Sequence, residues 1–224
     1  MRGFLLRQYH KAVLRNEWNI CSMLECVPGI RYLDLGCSDG EKTRTYAKYI
    51  GAGEVYGIDI DCRNTNTGVS AMMKDLNLPW HLGFRDGVDV VTANQVIEHL
   101  HNSDQFMESL YAVLKPGGYA VISTENLASW GNIAALLGGW QPFSLANFSQ
   151  KHRVVGNPFT LHSNLSMEEG HSPRHCRVYT ALGLRDYLEK SGFTVEGIKG
   201  ASLFPAGWRH AHYITMKVRK NEED

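Results

Sequence analysis

The sequence predicts an α/β domain, and three observations carry that prediction. Arg31–Thr43, RYLDLGCSDGEKT, reads as a strand, a loop cornered by Gly36 and Gly40, and a helix. Short apolar, β-branched runs recur at EVYGIDI (54–60), GVDVVTA (87–93) and YAVIST (119–124), separated by amphipathic stretches. Several of these runs end on an acid or an amide, at the strand ends where open α/β sheets hold ligands. A loop that offers backbone N–H groups and a helix N-terminus to a ligand has this form, and glycine is required where the chain must approach closely or take positive φ. A dinucleotide fingerprint would place glycine at 36, 38 and 41. The chain has Gly36, Ser38 and Glu41, so that pattern fails at two of three positions.

Taken in order, residues 2–25 show apolar residues at helical spacing (Phe4, Leu5, Tyr9, Val13, Trp18, Cys21, Leu24) before Pro28. Glu17 and Glu25 interrupt the basic face. That favours a lead-in helix packed on the domain or closing over its ligand, rather than a helix lying on a membrane surface. A helix follows over Glu41–Ile50, stopped by Gly51 and Gly53. The strand 54–60 ends on Asp59, where an acid can accept hydrogen bonds from both hydroxyls of a ribose; Asp61 suits a helix cap. A short helix is expected near Thr67–Met73. Asp75 then stands at the tip of a third short strand, as a second ligand acid or as a turn aspartate before Asn77 and Pro79. The fourth strand, 87–93, opens into Asn94-Gln95-Val96-Ile97-Glu98-His99-Leu100. The helix Asp104–Leu114 ends at Lys115-Pro-Gly-Gly, and the fifth strand covers 119–124.

Glu125–Val178 is far longer than the usual connection between sheet elements. It carries a helix at Ser129–Leu137, aromatics (Trp130, Trp140, Phe143, Phe148, Phe159), and His152, Arg153, His162, His171 and His175. Hanging from the fifth strand, it lies over the ligand end of the sheet and suits a mid-sized organic molecule. Thr180–Ser191 is a helix with Thr180 as N-cap, followed by strands at 194–199 and 212–218.

Composition narrows the class. Lys plus Arg and Asp plus Glu both number 23, so nothing in the charge balance points to nucleic acid. The five cysteines are scattered without a CxxC pair, which suits a reduced, cytoplasmic compartment and neither a disulfide framework nor a zinc site. No run reaches the length of a membrane span, so no integral membrane segment is expected.

The order of these parts resembles the class I S-adenosylmethionine-dependent methyltransferases. It carries an acid-x-Gly-x-x-x-Gly loop with Ser38 in place of a middle glycine, acids at the second and third strand tips, Glu-His-Leu after the fourth strand, LKPGG before the fifth, and RHCRVYTALGLRDYLEKSGF near the end. The Glu-His-Leu passage resembles the ubiquinone-biosynthesis type. The resemblance implies a Rossmann-like, doubly wound, seven-stranded and mostly parallel sheet, with the last strand antiparallel and helices on both faces. It implies a single domain over 1–224, with an N-terminal helix at 1–27 and a substrate-recognition insert at about 125–178. S-adenosylmethionine is the implied cofactor, touched by Asp34, Gly36, Cys37, Gly40, Asp59, Ile60, Asp75, Leu76, Asn94 and Gln95. Some relatives hold a divalent metal through Glu-x-x-Glu-His and another histidine. Here Gln95 replaces the first Glu, and an amide is a poor ligand for a hard cation, so no metal is expected.

The implied reaction moves a methyl group to oxygen or nitrogen of a small molecule, a glycan or lipid-linked precursor included, in a monomer or homodimer without a nucleic-acid partner. Alignment and exclusion of water do most of the work. The candidate acid–base groups are Glu98, His99, His152 and His175. Two other classes compete: a non-catalytic cofactor-binding sensor or activating partner subunit, and a nicotinamide oxidoreductase, against which Ser38 and Glu41 count.

Overall fold

A computed structural model describes residues 2–63, 68–149, 152, 154–160, 174–202 and 207–222. Its centre is a seven-stranded sheet: β1 (Arg31–Leu35), β2 (Glu54–Asp59), β3 (Ser70–Met73), β4 (Val88–Asn94), β5 (Leu114–Glu125), β6 (Phe193–Ala201) and β7 (Tyr213–Lys220). The strands lie in the order β3-β2-β1-β4-β5-β7-β6. β1 to β5 pair in parallel, and β7 runs antiparallel to both β5 and β6, as the resemblance implied.

Both faces of the parallel strands are covered, which is why they read as apolar runs rather than alternating ones. On one face α1 (Arg2–Cys21), the turn after it and α2 (Glu41–Ile50) set Ile20, Leu24, Tyr46 and Ile50 against Tyr32, Val90, Tyr119 and Val121. On the other, α3 (Ser103–Val113) and α5 (Ala181–Lys190) set Phe106, Leu110, Leu184 and Leu188 against Leu33, Val91, Ile122 and Met216. Thr180 does cap α5, accepting from the Gly183 N–H, and Asn102 and Ser129 cap α3 and α4 (Trp130–Leu137) in the same way.

The structure corrects two boundaries. The helix expected near 67–73 is not formed: Ser70–Met73 is β3, paired with Tyr56–Asp59, because the open edge of β2 offers a ladder of hydrogen bonds that outweighs the intrinsic helix preference of Ala-Met-Met. Thr67 itself lies outside the described residues. β5 begins at Leu114 rather than 119, with LKPGG extended through Gly117 at φ +74°.

Backbone bonds fasten the strand tips together, from Gly36 N to Ile58 O (2.7 Å), Lys74 N to Asp59 O (2.9 Å) and Gln95 N to Ser123 O (2.8 Å). The long insert leaves from this edge and returns to it. Asn126 donates through its side chain to the Arg209 and Ala211 carbonyls and bridges Tyr179. Cys176 N donates to Glu98 O at 2.7 Å.

Candidate active site

The loop after β1 is built on conformation rather than on free donors. Gly36 has φ +76°, and a Cβ there would lie 2.5 Å from Val96 Cγ2, so only glycine fits. The N–H groups of Gly36 and Cys37 donate to Ile58 O, and that of Gly40 to Cys37 O. Ser38 N donates to Asp59 Oδ2 at 2.8 Å. With these four donors engaged inside the protein, the loop does not offer the row of N–H groups that a pyrophosphate needs. This geometry counts against the nicotinamide alternative and revises the expectation of an N–H cradle.

Several residues named as cofactor contacts have other work here. Asp34 is buried; Oδ2 accepts from Thr43 Oγ1 and Oδ1 from Thr92 Oγ1, each at 2.5 Å. It therefore ties α2 and β4 behind the loop instead of facing a ligand. Burial pushes its carboxyl up to about 6, against the pull of the two hydroxyls. Cys37 is also buried, its sulfur filling the space that a Cβ at Gly57 would need. Asp59 stays half-buried at the tip of β2, holding Ser38 N and Asp61 N, and Ile60 beside it is 59% exposed. Asp75 Oδ1 accepts from both nitrogens of Asn77, the turn role foreseen as its alternative, and Leu76 is buried. Gln95 takes φ +57°, a strained position for a side-chain-bearing residue and one that collects at functional sites.

Beyond β4 and β5 lies a cavity of about 300 Å³, lined by Asn94, Gln95, Glu98, His99, Glu125 and His175, with Tyr9, Asn16, Glu17, Lys42 and Tyr213 among the rest. His99 and His175 meet edge to face, 4.9 Å between ring centres. Nδ1 of His99 lies 2.8 Å from Arg174 O, and Nδ1 of His175 lies 2.6 Å from Ser144 O. A carbonyl only accepts, so each Nδ1 carries a hydrogen, and Nε2 is the ring nitrogen left to face other partners. Burial, aided by His175, lowers the pKa of His99, which keeps that ring neutral. Glu98 is fully buried: Oε2 accepts from Thr124 Oγ1 at 2.8 Å, Oε1 has no hydrogen-bond partner among the described residues, and burial raises its carboxyl to about 7.

Glu98, His99 and His175 each offer a ligand atom, all within 4.8 Å of one another. Two imidazole nitrogens oriented by backbone carbonyls and one carboxylate oxygen fit a divalent cation. The sequence reading found Gln95 in place of the pattern's first Glu and expected no metal; His175, from the insert, joins Glu98 and His99 as the further histidine of that pattern. His152 is exposed, donates its N–H to Ser149 Oγ and does not line the cavity. Arg153, His162 and His171 lie outside the described residues. Glu125 was missed, although an acid ending an apolar strand is the same signal that singled out Asp59. Tyr9, Asn16, Glu17 and Tyr213 come from α1 and β7, and only the fold brings them here.

The chain matches the model of a family described as "Methyltransferase domain" over residues 2–197. It is 31% identical over 123 residues to a ubiquinone biosynthesis O-methyltransferase of Bradyrhizobium sp. (strain ORS 278), covering 52% of this chain and 47% of that one. It is 26% identical over 165 residues to the mitochondrial enzyme of that name from Dictyostelium discoideum, covering 66% and 50%. The chain thus spans about half the length of the curated relatives it matches. Among solved structures, an S-adenosylmethionine-dependent methyltransferase from Mesorhizobium loti superposes with a TM-score of 0.63 at 20% identity over 92% of this chain and 98% of its own. The 1,6-didemethyltoxoflavin-N1-methyltransferase of Burkholderia thailandensis, solved with its substrate and S-adenosylhomocysteine, gives 0.59 at 16% over 98% and 87%. These two likenesses establish the fold. With the family match running through the strand tips, the loop and the whole insert, the chain belongs to the methyltransferase-domain family, of the class I S-adenosylmethionine-dependent kind.

Proposed function

We propose that this protein transfers the methyl group of S-adenosylmethionine to an oxygen or nitrogen of a small organic acceptor bound in the cavity under the insert. The observation that carries the reading is the pair of imidazoles whose Nδ1 atoms are tied to the Arg174 and Ser144 carbonyls. That arrangement leaves basic Nε2 atoms beside Glu98 in a space of about 300 Å³, at the small end of organic ligand pockets. A sulfonium methyl is already activated, so the chain's part is to align donor and acceptor, exclude water and take a proton from the acceptor. A purely cofactor-sensing module would have no use for this buried base pair.

The cofactor's adenosine end would run along the tips of β1 to β3, with Asp59 accepting from the ribose. Titration of S-adenosylhomocysteine into the wild type and Asp59→Ala by calorimetry tests this. The variant should bind about a hundredfold more weakly, since two hydrogen bonds to a carboxylate are removed. Undiminished binding by the variant, or none by the wild type, defeats the assignment.

A second reading follows from the three converging ligand atoms. Glu98, His99 and His175 would hold a divalent cation, which would supply Lewis-acid activation of an acceptor hydroxyl. Methyl transfer assayed with and without a chelator separates the two readings. Undiminished turnover supports the free bases, whereas loss restored by added Mn²⁺ supports the cation.

A further inference from the structure

The inner and outer sides of α1 differ in chemistry. Tyr9, Val13, Asn16 and Glu17 line the cavity, and Ala12 and Ile20 are buried against the sheet. Arg7, His10, Lys11, Leu14, Arg15 and Trp18 are exposed, and at 3.6 residues per turn they share an arc of about 140°. The acids that interrupt the basic run in the sequence are absent from this arc. Glu17 turns inward, to Lys42 Nζ at 2.6 Å and Asn94 Nδ2 at 3.1 Å. Glu25 lies beyond the end of the helix and meets Lys217 and Arg219 of β7. None of Arg7, Lys11 and Arg15 forms an ion pair among the described residues. Beside these cations stand Leu14, 68% exposed, and Trp18, 65% exposed. Lys199 on β6 adds a fourth cation, its Nζ 5.2 Å from the centre of the Trp18 ring.

We propose that this outer face of α1 docks on an anionic lipid bilayer, with Leu14 and Trp18 entering the boundary between headgroups and acyl chains and Arg7, Lys11, Arg15 and Lys199 meeting lipid phosphates. Basic residues around Trp and Leu on one side of a helix are the composition of interfacial helices. Indole rings settle at headgroup level, and basic groups are drawn to the negative surface potential of anionic lipid. A second copy of the chain would set like charges against each other across a two-fold axis. A nucleic-acid strand would use Trp18 as a stacking platform, but Lys199 covers one face of that ring and Leu14 offers a base edge no hydrogen bond. The helix that walls the cavity from inside would thus rest on lipid outside, with one helix diameter of about 10 Å between them. Docking here does not depend on which acceptor the cavity takes.

Co-sedimentation of the full chain with vesicles tests it. At about 50 mM salt the protein should pellet with vesicles of phosphatidylcholine containing about 30% phosphatidylglycerol, and far less with pure phosphatidylcholine. Arg7→Gln, Lys11→Gln and Arg15→Gln combined should weaken binding about a hundredfold, and Leu14→Ser with Trp18→Ser about tenfold or more. All five side chains are exposed, so thermal melts of both variants should match the wild type. Acyl chains brominated near the headgroup should quench the wild type's indole fluorescence and leave Trp18→Phe largely unquenched. No binding of the wild type to the anionic vesicles, equal binding to pure phosphatidylcholine, or wild-type affinity in either combined variant would overturn the proposal. Tighter binding of a single-stranded RNA than of the vesicles would overturn it in favour of nucleic acid.

Discussion

Replacing His99 with asparagine is expected to lower kcat about a hundred- to ten-thousandfold, the range for loss of a positioned general base, with little change in KM for the cofactor. The substitution separates two jobs of the ring. Asparagine Nδ2 occupies the region of the imidazole Nδ1 and can keep the bond to the Arg174 carbonyl that holds the insert. It has no counterpart of Nε2, so the lone pair facing the cavity is lost. His175→Asn, with its bond to the Ser144 carbonyl, is the parallel case. The two imidazoles stand 4.9 Å apart, so the double variant should fall short of the product of the single effects if they serve one proton. Steady-state kinetics on a methyl acceptor, found by screening metabolite fractions with a labelled methyl donor, makes the measurement. Full turnover by both single variants would dismiss the histidines as bases.

Asp34→Asn should change how stability depends on pH, by an amount readily measured. The buried carboxyl moves from its ordinary 3.8 up to about 6. For an acid whose folded pKa is raised, the native state binds the proton more tightly than the unfolded chain. Stability contributed by this group is therefore unaffected below pH 3.8, declines as pH rises from there to about 6, and is fully lost above it. The size of that loss is about 3 kcal/mol. Asparagine carries no charge at any pH, and the rotating hydroxyls of Thr43 and Thr92 can satisfy its amide. The difference in unfolding free energy between variant and wild type should thus move by about 3 kcal/mol in favour of the variant between pH 3.5 and pH 7.5. Urea melts across that range report it, and parallel curves for the two proteins would refute it. Because Asp34 fixes Thr43 and Thr92 rather than meeting a ligand, cofactor affinity should fall less here than in Asp59→Ala.

Much of the architecture was legible because local signals agreed with the fold. Gly36, Gly40 and Gly51 all sit at positive φ, Thr180 caps its helix, and the apolar runs 54–60, 87–93 and 119–124 are the inner strands. Ser70–Met73 was misjudged because four residues carry too little periodicity, and what decides them is an open neighbouring edge far away in sequence. The role of Asp34 was misread for a related reason. An acid on a strand beside a glycine loop looks the same whether it faces the ligand or two threonines behind it. Glu98, His99 and His175 were each named, but their convergence was not, since 76 positions of chain separate His99 from His175 and spacing rules reach only along one element. Glu17 was read only as an acid that interrupts the basic face of α1, and Asn16 gave no signal. Their chemistry comes from lying across the ends of β4 and β5, where Asn16 accepts from Ser123 and Thr215.

The doubled fastening of the insert at Asn126 and Tyr179 gives the molecule a neck. Once that neck is closed, the entropy of lengthening what hangs from it grows only slowly with the number of residues, and the sheet feels none of it. Chains sharing this frame can thus exchange the hanging part wholesale while the tips of β1 to β3 stay as they were.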